Sequence, residues 1–310
     1  MSIPKRVVHM TTVHHPYDPR IFHKECMSLH NAGYDVTLIA QKDASSHKAE
    51  SPIKHIPVKK YASRWKRMIL GTFDAYKKAK RLDADVYHFH DPELLPIAWL
   101  LKRKDNVVIY DIHEDYITSI LQKDYLSKPV KKMISRVYKS LEKLFIRNFA
   151  LCLAEKYYYD IYHRGTCILN YPTINEKMMK HERNQSLEDK LLYTGNVTEV
   201  RGALIHARIP QIDDSVIVQF VGKCPSSLAE KMYGTAGSGK DRLQIEGIDQ
   251  FIQKEVIEDY YLQHNWLAGI AIFPPTEHYM KKELTKFFEY MNAGLPIICS
   301  DFPVWKEFIE

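Results

Sequence analysis

The 310 residues are 45% apolar, 12% aromatic and 26% charged, which excludes a disordered chain and predicts about two domains. No apolar run approaches the roughly 20 residues that span a bilayer, and the start Met1-Ser-Ile-Pro-Lys-Arg lacks the apolar segment of a signal peptide. The five cysteines are scattered with no C-x-x-C pair, which excludes a disulfide framework or a thiolate metal site and points to a reduced, cytoplasmic compartment.

In chain order, short β-branched runs read as strands at Val7–Thr11, Asp35–Ala40, Ile53–Val58, Val86–His90, Val107–Ile112, Leu151–Ala154 and Thr166–Asn170. Helical patterns separate several of them, at Arg20–Ala32, Ala62–Leu82, Leu94–Lys102 and Val130–Asn148. Asn170-Tyr-Pro-Thr-Ile-Asn and the polar run that follows read as a linker. Strands then resume at Leu191–Thr194, Val216–Val221, Leu243–Gly247, Ile270–Phe273 and Pro296–Cys299, with helices at Gly202–Ile212, Ser226–Met232, Phe251–Gln263 and Glu283–Asn292. Such alternation predicts an α/β chain of two doubly wound, Rossmann-like domains, 1–172 and 173–310. Ligands of such sheets sit beyond the carboxyl ends of the strands, so two in tandem are expected to face one cleft.

Charge separates the same two regions. Residues 1–172 carry 29 Lys+Arg against 18 Asp+Glu, whereas residues 173–310 carry 15 against 20. The basic half is expected to face an anionic surface. Within it, Trp65, Met68, Ile69, Thr72, Phe73, Tyr76 and Ala79 recur at helical spacing among lysines and arginines. Trp65, Lys66, Arg67, Phe73, Lys77 and Lys78 are the expected contacts with an anionic membrane. No nucleic-acid-binding module accompanies the charge, so no nucleic-acid partner is expected.

Three polar clusters follow strands of the first domain: His14-His15-Pro-Tyr-Asp18-Pro-Arg20, His88-Phe-His90-Asp91-Pro-Glu93, and Asp111-Ile-His113-Glu114-Asp115. Three at one sheet edge mark a functional region. A metal site on His88 and His90 is not expected, because the two share a face only if the strand runs through both, and the other clusters lack zinc-motif spacing. Gly234-Thr-Ala-Gly-Ser-Gly239-Lys240-Asp241 fits G-x-x-x-x-G-K but has Asp241 where a phosphate loop needs Ser or Thr, so a flexible surface loop is expected there.

The run Lys286-Phe-Phe-Glu289-Tyr-Met-Asn-Ala-Gly294-Leu-Pro296-Ile-Ile-Cys-Ser300 resembles the signature of family-4 glycosyltransferases. Tyr193-Thr-Gly195 through Arg201-Gly202, Val221-Gly222, His14 to Phe22 and Tyr110 to Asp115 resemble four further segments of that family. The resemblance implies a GT-B fold, a retaining and metal-independent transfer, and no cofactor beyond a nucleotide-sugar donor. It assigns Arg201 and Lys286 to the leaving diphosphate, Glu289 to the ribose, and Gly195 and Gly294 to close backbone approach. His113 falls to the donor sugar and its diphosphate, and Asp18, Arg20, Asp91 and Glu114 to the acceptor side. Lys281 stands where the first glutamate of the family's E-x7-E pattern is usual, and Asn196 where an arginine is usual. The chain ends near Trp305, before the family's crossing helix, so a shortened C-terminus is expected.

The resulting expectation is a hexosyltransferase of bacterial O-antigen (lipopolysaccharide) assembly, peripheral on the inner face of the cytoplasmic membrane. It would move a sugar, N-acetylgalactosamine by preference, from a UDP-sugar to a polyprenyl-diphosphate-linked saccharide. A nucleotide-sugar 2-epimerase and a non-catalytic membrane-binding GT-B protein are the alternatives.

Overall fold

The computed structural model describes residues 4–42, 51–113, 116, 127–172, 174–180, 186–263 and 265–309. The chain divides into two compact units, Met1–Asn170 and Tyr171–Glu310. Each is built on its own parallel sheet.

In the first unit the strands are β1 (Arg6–Met10), β2 (Asp35–Gln41), β3 (Lys54–Val58), β4 (Val86–Phe89), β5 (Val107–Ile112), β6 (Ala150–Leu153) and β7 (Thr166–Cys167). Their order is β3-β2-β1-β4-β5-β6-β7. The order reverses between β1 and β4, where a doubly wound sheet opens a crevice. Apolar side chains on both faces explain the near-continuous Val/Ile/Leu runs. One face packs Met10, Tyr87, Phe89 and Val108, and the other packs Val7, Ile21, Cys26 and Leu38.

The second unit contains β8 (Glu188–Thr194), β9 (Ile217–Cys224), β10 (Leu243–Ile248), β11 (Trp266–Ala271) and β12 (Ile297–Cys299), ordered β10-β9-β8-β11-β12. Its reversal lies between β8 and β11. Val218, Phe220, Ile270, Phe287 and Trp305 form the main core beneath it. At the end of β8 the backbones crowd: a Cβ on Gly222 would stand 2.0 Å from the Gly195 carbonyl oxygen. Only glycine permits that approach.

Several expectations need correction. The helix after β3 is not one continuous α-helix: Arg67–Gly71 is wound as a π-turn between Arg64–Lys66 and Thr72–Leu82. The extra residue per turn rotates the pattern, so Thr72, Ala75 and Ala79 face the core while Trp65, Ile69, Leu70 and Phe73 are exposed. The helix expected over Gly202–Ile212 breaks into Ala203–Ala207 and Ile209–Ile212 ahead of Pro210. Gly234–Asp241 is not a loop. It continues the helix Ser226–Ala236 into a 3-10 segment, Gly237–Arg242, with Gly239 buried against Pro210. Within the expected linker, Glu176–Met179 is helical, capped by Asn175. No described helix is long and apolar enough to cross a membrane.

Candidate functional site

Two polar regions stand out, one in each unit. In the second, β8 ends at Thr194-Gly195 beside a pocket of about 130 Å³. Thr194, Gly195, Tyr261, Glu289 and Asn292 form part of its wall, with Asn175 and Glu258 at one side. Tyr261 comes from the helix Lys254–Gln263 and Glu289 from the helix Thr285–Asn292. The Tyr261 hydroxyl lies 2.8 Å from Thr194 Oγ1 and 3.3 Å from Glu289 Oε2. That contact holds one carboxylate oxygen of Glu289 toward the pocket wall.

Lys286 precedes Glu289 by one helical turn, so both side chains leave the same face. Its half-buried ammonium donates to the Thr194 carbonyl and sits 4.0 Å over the Tyr193 ring. Burial lowers its pKa to about 7; Glu289 works against that shift and Arg201 adds to it. Arg201 ends the short helix Glu199–Arg201, and its Nε donates to the Tyr279 hydroxyl at 3.2 Å. The two cations therefore flank Tyr193 near Gly195, one of them poorly neutralised. An anion would relieve that excess. Gly294 lies apart from the pocket wall. Exposed, with φ +63°, it stops the helix Thr285–Asn292, and the Gly294 and Leu295 amides bond back to Met291 and Tyr290. Lys281 is exposed and paired with Glu277 at 2.9 Å.

The first unit gathers its polar clusters at the carboxyl ends of β1, β4 and β5. Asp18 caps the helix that begins at Pro19, accepting from the Arg20 and Ile21 amides at 2.9 and 3.0 Å. Burial pushes its pKa up, but hydrogen bonds from His14 and the Ile21 amide outweigh that and bring it to about 2. Arg20, 5% exposed, forks onto Asp111 with 2.8 and 2.6 Å bonds and reaches the Ile168 carbonyl at 3.1 Å. Asp91 is buried and accepts from Thr11 Oγ1 and the Thr12 amide at 2.9 and 2.6 Å. Arg20 and Asp91, both expected on the acceptor side, are thus held by partners inside the domain. His113 is half-buried, its Nδ1 3.3 Å from Asp111 and its Nε2 3.1 Å from His14 Nε2. Glu114 lies outside the described residues.

Beneath these groups lies a cluster that the motifs do not reveal. His9 Nδ1 is 3.0 Å from His90 Nε2, and His90 Nδ1 is 3.1 Å from Asp111 Oδ2. Burial, with smaller effects from neighbouring charges, holds His88 and His90 at about 3 and lifts Glu25 to about 9. The imidazoles are neutral. His88 and His90 do share a face, with ring centroids 4.8 Å apart, although β4 ends at Phe89. That removes the objection raised from the strand's length. His9 stands alone in the apolar run Val7–Met10, which was the one available signal, and Glu25 follows His23 and Lys24 in a stretch that reads as a polar helix face.

Of the expected membrane contacts, Trp65 and Phe73 are 73% and 53% exposed. Lys66 and Lys77 are exposed too, the Lys77 ammonium lying 4.5 Å over the Phe73 ring. Arg67 and Lys78 turn inward instead. Arg67 forks onto Glu93 with two 3.1 Å bonds, and Lys78 binds Asp74 and the Pro57 carbonyl.

Residues 20–155 match the family model described as Glycosyltransferase Family 4. No curated protein matches the chain. Among solved structures, it is similar to a sucrose-phosphate synthase from Thermosynechococcus elongatus, with TM-score 0.65 and 16% identity over 96% of this chain and 81% of that one. It is also similar to Anabaena HepE, solved with UDP and glucose, with TM-score 0.63 and 11% identity over 99% and 83% of the two chains. The lipopolysaccharide outer core galactosyltransferase WaaB gives TM-score 0.57 and 13% identity over 96% and 80%. The two parallel-sheet units are those of the GT-B fold.

Proposed function

We propose that this chain, a GT-B glycosyltransferase by its fold and its family-4 first domain, transfers a sugar from a UDP-sugar to a lipid-linked saccharide. The observation that carries the reading is the placement of Arg201 and Lys286 around Tyr193, beside the Glu289 pocket at the end of β8. Departure of UDP builds negative charge on phosphate oxygens. Arg201 offers a planar fork to two of them, and Lys286 a point charge. Because both are held before the reaction, they stabilise that charge without reorganisation. The cations do what a divalent ion would do at the diphosphate, so the step needs none. Glu289 accepts hydrogen bonds from the ribose hydroxyls, and Gly195 keeps the backbone beside the nucleotide narrow. His113 acts on the sugar, and Asp18 remains the acceptor-side candidate. Configuration is retained by front-face attack assisted by the leaving phosphate.

The acceptor is inferred from the first unit. Trp65, Ile69, Leu70 and Phe73 form an exposed apolar face flanked by Lys66 and Lys77, the composition that settles on an anionic bilayer. A polyprenyl diphosphate saccharide in O-antigen assembly presents its sugar at such a surface, and N-acetylgalactosamine is the first donor sugar to try. Incubation with radiolabelled UDP-sugars and bacterial membranes is expected to move label into lipid-extractable product. Label appearing only in water-soluble sugars would remove the lipid acceptor. Interconversion of UDP-sugars without acceptor would replace transfer by epimerisation.

A further inference from the structure

We propose that the first unit holds a structural zinc-type ion on His9, His88, His90 and Glu25. The site arises from strand register. β1 and β4 are parallel neighbours with His9 opposite His88, and His90 lies two residues beyond His88 on the same face. Glu25 is supplied by the helical segment Pro19–Cys26. One ligand atom from each of the four lies within 4.8 Å of the others. His9 Nδ1 and His90 Nε2 are 3.0 Å apart, and Glu25 Oε2 stands 3.8, 3.8 and 3.7 Å from His9, His88 and His90. A tetrahedral ion about 2.0–2.1 Å from each ligand has ligand–ligand edges of about 3.4 Å, which these separations bracket.

Hydrogen bonding within the cluster does not account for its contents. The His9–His90 contact uses one nitrogen of each ring. His88 Nε2 and Glu25 Oε2 remain buried with no hydrogen-bond partner. The three neutral imidazoles, packed at centroid distances of 4.6, 5.3 and 4.8 Å, carry one N–H each, and that of His90 is turned away to Asp111. A cation in their midst satisfies all four ligand atoms at once. The outer contacts fit as well. Asp111 sits 3.1 Å from His90 Nδ1 and is itself gripped by Arg20, so the Nε2 lone pair of His90 is turned to the ion. The other carboxylate oxygen of Glu25 lies 3.1 Å from Arg20 Nε, leaving Oε2 as the ligand. Three imidazoles with one carboxylate suit Zn2+ rather than Mg2+ or Ca2+, which prefer all-oxygen shells. With four protein ligands and no open position, the ion would brace the ends of β1 and β4 rather than enter the reaction.

The test uses the purified 310-residue chain, stripped with a chelator and titrated with Co2+. The expected result is the visible ligand-field absorption of tetrahedral Co2+ saturating at about one ion per chain, displaced by Zn2+ but not by Mg2+, with a raised melting temperature. His88→Gln and Glu25→Gln, checked for folding by circular dichroism, are expected to lose the absorption. Absence of both absorption and thermal shift in the unsubstituted chain overturns the proposal, whether or not the variants fold. A Co2+ spectrum unchanged in folded His88→Gln overturns it too, since the ion then lies elsewhere.

Discussion

The two units handle charge in opposite ways. In the first, Arg20, Asp111 and Asp91 are sealed from water and consumed by one another and by the backbone. In the second, Arg201 and Lys286 sit half-buried beside a pocket, and the ammonium has lost part of its hydration without gaining a full counter-ion. Residue type alone does not separate these cases, since both have an arginine after a strand, near a helix end. What separates them is whether a carboxylate already fills the guanidinium fork. A filled fork braces the fold; one that meets tyrosine hydroxyls and no carboxylate remains able to take phosphate oxygens.

The comparison is tested most severely by removing the first fork. Arg20→Ala strands the Asp111 carboxylate in the interior and is expected to cost about 3–5 kcal/mol, read as a lower urea midpoint. An unchanged midpoint would mean that the buried pair braces nothing. Next comes the second unit: Arg201→Ala and Lys286→Ala should each lower turnover by about 10²–10³-fold, with little change in urea midpoint. Loss of stability in place of turnover would erase the contrast. Trp65→Ala should weaken binding to anionic vesicles about tenfold, from the lost apolar burial, as measured by cosedimentation. No change would remove the exposed apolar face from the account.

The smallest expected effect is on pH. Lys286 in the free chain titrates at about 7, and a bound diphosphate raises that value, so binding takes up a proton. UDP affinity is then highest below about 7 and falls as pH rises. A few-fold loss between about pH 7.5 and 9 is expected, below the tenfold per pH unit that one proton allows. Lys286→Arg, charged throughout, should flatten the slope in calorimetric titrations. An equal slope in both proteins would assign the proton elsewhere.

The central strands were legible because they are apolar runs buried on both faces, and β4 and β5 differ from their expected spans by at most a residue. Four short helices were not: Tyr158–Tyr162, Glu176–Met179, Glu277–Met280 and Pro303–Ile309 contain too few turns to display a period. The π-turn at Arg67–Gly71 was equally hidden, because an extra residue in one turn leaves the composition unchanged. At the candidate sites, Lys286 and Glu289 could be read from a long local motif. Tyr261 could not, since its place beside Glu289 is made by the sheet order that brings two separate helices together. The same holds for His9 and Glu25, which acquire chemical meaning only when parallel register sets His9 against His88.

In the proposed reaction the two cations of the second unit hold the leaving diphosphate. A crystal structure of the chain grown with UDP tests it most directly. Both phosphates are expected within hydrogen-bonding distance of the Arg201 guanidinium and the Lys286 ammonium, with the ribose hydroxyls on Glu289. Well-defined UDP bound anywhere away from those side chains would contradict the account.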